Sequence, residues 1–143
     1  MLGMVVASSA ALAQPSIEVT NAWARATVTG QKVGGVYMDI RSTAAARLLS
    51  ASSPAAGKVE IHNMKIENGV MKMLPVDGIE LPAGQSVKLA PGGYHMMLID
   101  LKRELKQGES VPVVLTVELP DKKRQAIEVK AEIRDVTGLH KGH

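Results

Sequence analysis

The sequence predicts an all-β fold, a β-sandwich or barrel of about nine short strands, on three observations. Short apolar or alternating runs follow one another along the chain, each closed by a turn signal. No long segment repeats apolar residues at a helical period. Finally, Asn68-Gly69 stands between two strand-like runs, the strongest local signal for a tight hairpin.

The runs in order carry this reading. Ile17 to Arg25 places Ile17 and Val19 on one side and then, across an irregularity, Trp23. Val33 to Arg41 alternates in part, with Val36, Met38 and Ile40 together. Arg47 to Ala51 is a short strand stopped by Ser52-Ser53-Pro54. Lys58 to Glu67 and Val70 to Val76 flank the Asn-Gly turn. Ile79 to Leu81 runs into Pro82-Ala83-Gly84, and Val87 to Leu89 into Pro91-Gly92-Gly93. Tyr94 to Leu101, Val111 to Leu119 and Ala126 to Arg134 complete the set. Only Thr43 to Leu49 has the composition for a helical turn or two.

With 143 residues, 45% of them hydrophobic, the chain has the size of one ordinary domain with a core of its own. One Trp, two Tyr and no Phe leave that core to Val, Leu, Ile, Ala and Met, and eight Met supply some of the missing volume. The first residues, MLGMVVASSAALAQ, read as a secretory leader over residues 1–13, with a small-residue cleavage signal at Ala11-Leu12-Ala13. No Lys or Arg precedes the apolar run, so the leader reads as truncated at its start. An apolar first strand is the rival reading, disfavoured because Ser8 to Ala13 is poor in β formers. The run is too short to span a bilayer, so no stable membrane insertion is expected. The folded domain is then residues 14–136, and residues 137–143 form a flexible polar tail.

Charge excludes more than it assigns. The net charge is +3, but Lys and Arg are dispersed among Asp and Glu, and the one basic cluster, Lys122-Lys123-Arg124, sits beside Asp121 at a turn. With so few aromatic residues for base stacking, nucleic-acid binding is not expected. The absence of cysteine removes thiolate metal and redox chemistry.

Four residues stand out as candidate metal ligands: His62, ten residues, Met73, twenty-one residues, His95, and Met97 two further on. An Asn-Gly hairpin of type I′ fixes the register as Glu67 opposite Val70, Ile66 opposite Met71, Met64 opposite Met73 and His62 opposite Pro75. His62, Met64, Met71 and Met73 then share one face, with His62 and Met73 diagonal neighbours roughly 7–8 Å apart at the backbone. Ile61, Leu74 and Val76 take the other face. Alternation in Tyr94 to Leu98 likewise puts His95 and Met97 together, opposite Tyr94, Met96 and Leu98. Each residue taken singly has an ordinary reading, a hydrogen-bonded His or a core Met. Spacing alone leaves both readings open.

The donor types narrow the chemistry. Thioethers with imidazoles form a soft set suited to Cu(I). A zinc site would want a third His or a carboxylate at ligand spacing, and none stands out. A blue-copper centre needs a thiolate. There is no G-x-S-x-G nucleophile elbow, and Pro91-Gly92-Gly93 leads into a strand rather than opening a helix around phosphate.

At this point the sequence resembles the periplasmic PCuAC copper chaperones. His62-x10-Met73-x21-His95-x-Met97 matches their ligand signature, and the likeness extends through Ala22-Trp23-Ala24-Arg25, Leu49-Ser50-Ala51-Ser52-Ser53-Pro54 and Gly69-Val70-Met71-Lys72-Met73. It continues in Leu81-Pro82-Ala83-Gly84, Pro91-Gly92-Gly93-Tyr94-His95 and Leu101-Lys102. The resemblance implies a cupredoxin-like Greek-key sandwich and a non-enzymatic periplasmic carrier. It makes His62, Met73, His95 and Met97 the Cu(I) ligands, and its implied acceptor is cytochrome c oxidase, at the CuA centre, or an assembly factor. Sequestration or tolerance without a dedicated acceptor is the alternative. Met64 and Met71 are auxiliary candidates on the hairpin face. By the same likeness His140 and His143 could hold a second copper as Cu(II), and incidental tail histidines are the competing reading. Trp23 is expected to be structural. The expected partner contact is transient, and the chain is expected to be a monomer.

Overall fold

A computed structural model describes residues 16–135, which form ten strands and no helix. The strands are β1 (Ile17–Arg25), β2 (Val33–Ser42), β3 (Ala46–Ser52), β4 (Ala56–Glu67), β5 (Val70–Pro75), β6 (Ile79–Leu81), β7 (Ser86–Leu89), β8 (His95–Leu101), β9 (Ser110–Glu118) and β10 (Arg124–Arg134). Every run anticipated from the sequence is a strand, so the anticipated count of about nine is corrected to ten. The leader over residues 1–13 and the tail over residues 137–143 lie outside the described residues.

The strands order as β5-β4-β8-β2-β1-β10-β9-β3-β6, with β7 pairing to β2 off this path. Among the pairs between strands only β1–β10 is parallel. The order does not close on itself: β5 and β6 are its ends. β3 nonetheless packs against β4 from the far side of that order, so the sheet folds over as a sandwich. β2 organises the half that carries the site. Its first part, Val33 to Val36, pairs with β8, its second, Met38 to Arg41, with β7, and its other edge with β1.

Alternation explains the core. On β2 the side chains of Val36, Met38 and Ile40 are buried as a set, and on β9 Val111, Val113, Leu115 and Val117 are fully buried at every second position. Leu48, Leu81, Leu89, Met96, Leu98, Leu105 and Ile133 join them. The interior is therefore aliphatic with two methionines, as the composition requires. The irregularity before Trp23 is a register shift between Thr20 and Trp23, with Asn21 at φ 54°.

One local expectation fails. The Ala-rich stretch from Thr43 to Leu49 forms no helical turn, and most of it enters β3. Ala46 and Leu48 are buried at period two, between β6 and β9. Pairing on both edges with an inward Leu48 outweighs a helix preference of only tenths of a kcal/mol per residue.

Leu115 is fully buried on β9, which pairs with β10 and β3 and with none of the strands that carry the candidate ligands. Leu115→Ala should destabilise the fold by about 2–5 kcal/mol, read from denaturant unfolding.

Candidate metal centre

The site is assembled from three neighbouring strands, β5, β4 and β8, and each register is observed directly. Asn68 at φ 53° and Gly69 at φ 78° make the tight turn between β4 and β5 with both central residues left-handed. The pairs that follow are Glu67 with Val70, Ile66 with Met71, Met64 with Met73 and His62 with Pro75, as the Asn-Gly turn predicts. β8 then lies on the other edge of β4, with His62 opposite His95, Ile61 opposite Met96 and Glu60 opposite Met97. Cross-strand partners share a face. Glu60, His62 and Met64 of β4 therefore stand on the same side of the sheet as His95 and Met97 of β8 and Met73 of β5.

The same face continues across β2 and β1. Met97 is opposite Gly35, and Tyr37 pairs with Trp23. A Cβ at Gly35 would stand 2.9 Å from the Tyr37 hydroxyl oxygen, so only glycine lets the phenol fold over that position. The rings run in a row: Trp23 to Tyr37 at 4.6 Å between centroids, Tyr37 to His95 at 6.2 Å, and His95 to His62 at 5.6 Å, edge on. The Arg134 guanidinium closes the far end, 5.8 Å from the Trp23 ring. Trp23 is thus a wall of this row, a structural role as the sequence suggested.

A cleft of about 510 Å³ opens on this face, lined by Met64, Met73, His95 and Met97 together with Tyr37 and, at its basic side, Arg25 and Lys32. Three of the four sequence-predicted ligands meet there. His62 does not line the cleft; it lies against His95, with its side chain 14% exposed. Of the auxiliary candidates Met64 lines the cleft, whereas Met71 sits two pairs nearer the hairpin tip than the Met64–Met73 pair, 58% exposed, and does not. His140 and His143 lie outside the described residues. Arg25, Tyr37 and Glu60 are neighbours of the site to which the sequence reading gave no part; period two from His62 is the signal that could have found Glu60.

Hydrogen bonds fix how each imidazole is held. His95 is 3% exposed, and its Nδ1 lies 3.2 Å from the Gly93 carbonyl oxygen. A carbonyl only accepts, so Nδ1 carries the proton and Nε2 keeps its lone pair. His62 Nε2 lies 2.8 Å from Glu60 Oε1, while its Nδ1 is buried with no hydrogen-bond partner. The His62 hydrogen bond, and after it that of the Lys58 ammonium, hold the Glu60 carboxyl below the usual carboxylate range. Among the described residues no group of three or more His, Asp or Glu gathers as a metal cage. The available donors are imidazole nitrogens and thioether sulfurs. Thioether sulfurs with imidazole nitrogens suit a soft ion and do not suit a hard one.

Residues 17–133 match the LpqE-like family, described as "Putative lipoprotein LpqE-like". The chain is 33% identical over 102 residues to "Putative lipoprotein Lxx21020" of Leifsonia xyli, an alignment covering 69% of this chain. It spans 60% of the length of that curated relative. Among solved structures it is similar to the copper-bound PCuAC domain from PmoF2, with 25% identity and a TM-score of 0.68, covering 83% of this chain and 92% of that one. It is also similar to Cu(I)-DR1885 from Deinococcus radiodurans, with 29% identity and a TM-score of 0.58, covering 92% of this chain and 87% of that one. The chain belongs to the LpqE-like family and is of PCuAC type, with the cupredoxin-like β-sandwich of those domains.

Proposed function

We propose that this chain is an exported copper chaperone, not an enzyme, whose folded domain binds Cu(I) through His62, Met73, His95 and Met97. Its role is to pass the ion to cytochrome c oxidase at the CuA centre, or to an assembly factor of that enzyme. The observation that carries the reading is the cross-strand pair His62–His95 standing beside the Met64–Met73 pair and Met97 on one face. Support also comes from the copper named in the PmoF2 and DR1885 structures. The reading of residues 1–13 as a leader and the match to a lipoprotein family both support export, and the compartment proposed is the periplasm. No helix among the described residues is long and apolar enough to cross a membrane.

The donor set explains why the cargo is the reduced ion. Thioethers favour Cu(I), whereas Cu(II) prefers nitrogen and oxygen donors in tetragonal geometry. Held by two sulfurs, copper stays in the form that a thiolate- or imidazole-bearing acceptor takes by ligand exchange. The degree of exposure sets the route. His95 is buried at 3% and Met73 is open at 43%, so acceptor groups reach the ion from the Met73 side while the imidazoles hold it. Release then begins with the thioether on β5. Met64, directly opposite Met73 and lining the same cleft, is placed to keep contact with the ion during exchange.

Met73→Leu keeps the side chain's volume and should leave the fold intact. Its affinity for Cu(I), measured by anaerobic competition titration, should fall by at least the about tenfold that even an outer-shell loss costs. An unchanged affinity would remove Met73 from the ligand set. Delivery is tested separately: the Cu(I)-loaded chain should metallate an apo CuA domain faster than buffered free copper does. Equal rates would point to sequestration without a dedicated acceptor.

A further inference from the structure

Glu60 belongs to no ligand set, yet it is the residue most closely tied to His62. The two carboxylate oxygens are divided between two partners: Oε1 lies 2.8 Å from His62 Nε2, and Oε2 lies 3.1 Å from the Lys58 ammonium. Neither oxygen is free to bind a metal, and a hard carboxylate would be a poor donor to Cu(I) in any case. A carboxylate at this spacing can only accept, so His62 Nε2 carries the proton. In the neutral ring the opposite nitrogen, Nδ1, holds the lone pair, and it is the imidazole nitrogen that is buried and without a partner. A buried acceptor left unpaired is unfavourable, and an arriving ion would remove that cost. His95 is set the other way round. Its Nδ1 donates to the Gly93 carbonyl, and Nε2 holds the lone pair.

We propose that Glu60 is a positioning residue: its carboxylate locks His62 as the Nε2–H tautomer, so that His62 coordinates Cu(I) through Nδ1 while His95 coordinates through Nε2. The inference rests on the reading of His62 and His95 as copper ligands. The β4–β8 register gives the arrangement its reason. His62 and His95 face each other directly across two strands. Across that pair the two hydrogen bonds occupy Nε2 of His62 and Nδ1 of His95, which leaves unlike nitrogens for one ion. The Lys58 ammonium holds the carboxylate from the other side, so that its free rotation does not release the ring. Glu60 itself is 34% exposed in its side chain and is no part of the core, so replacing it should leave the sandwich folded.

The test is long-range 1H–15N correlation of the histidine rings in the metal-free protein at neutral pH, together with Cu(I) affinity. In the wild type His62 should resonate as the Nε2–H tautomer and His95 as the Nδ1–H tautomer. In Glu60→Ala the His62 ring should become a mixture of tautomers with His95 unchanged, and Cu(I) affinity should fall by about ten- to a hundredfold. Glu60→Gln, which keeps an acceptor oxygen, should restore part of both. Circular dichroism unchanged from wild type separates these effects from misfolding. His62 found as the Nδ1–H tautomer in the wild type overturns the proposal, as does Glu60→Ala binding Cu(I) as tightly as a wild type that binds it well. A wild type that takes up no Cu(I) overturns the copper reading itself, whatever the tautomers.

Discussion

The register between β4 and β8 is the constraint on which the site depends. It sets His62 against His95 and Glu60 against Met97 on one face, and Ile61 against Met96 and Val59 against Leu98 on the other. Period-two alternation means that a slip of one residue would exchange the two faces of the moving strand. Ile61, Met96 and Leu98 are all buried to 4% exposure or less, and each is worth about 1.5–3 kcal/mol when kept from water. A slip would lose part of that burial and drive Glu60 or His62 into an apolar interior, at further cost. The ligand face is thus held in place by the core face behind it. The Asn68-Gly69 turn does the same for β5, because a two-residue turn with both residues left-handed admits one pairing of the hairpin.

Methionine shows how one residue type serves both sides of this arrangement. Met38 and Met96 are core residues at 1% and 0% exposure, whereas Met64 and Met97 are half-buried on the ligand face and Met71 and Met73 are open. Met96 and Met97 are adjacent in the chain and differ only in parity. Composition cannot separate them. Strand alternation does so at once. The aromatic scarcity has a similar logic: the single Trp and one of the two Tyr are spent on the row of rings that backs His95.

Much of this was legible in the chain because it is local. Turn residues marked the strand limits, and the hairpin register could be written down pair by pair from Asn68-Gly69 alone. The grouping of His95 with Met97 needed only the two-residue period. What was not legible is long-range. That β8 adds to the free edge of β4, rather than to β5, depends on how the sheet folds over, and thirty-odd residues separate the two histidines. The parallel pairing of β1 with β10 and the division of one β2 edge between β8 and β7 are of the same kind. The Thr43 to Leu49 stretch misled for the opposite reason, its local composition being overridden by pairing on both sides. At the site, the recess of His62 beside His95 and the hold of Glu60 on its ring are side-chain facts that follow from the strand pairing, and no spacing rule states them.

The central claim is that two imidazoles and two thioethers on this one face hold Cu(I). X-ray absorption at the copper edge of the anaerobically loaded protein tests it most directly, because sulfur and nitrogen scatterers are counted separately. The account predicts two sulfur and two nitrogen donors, with one sulfur lost in Met73→Leu. A first shell of nitrogen and oxygen alone, or one that Met73→Leu leaves unchanged, would contradict it.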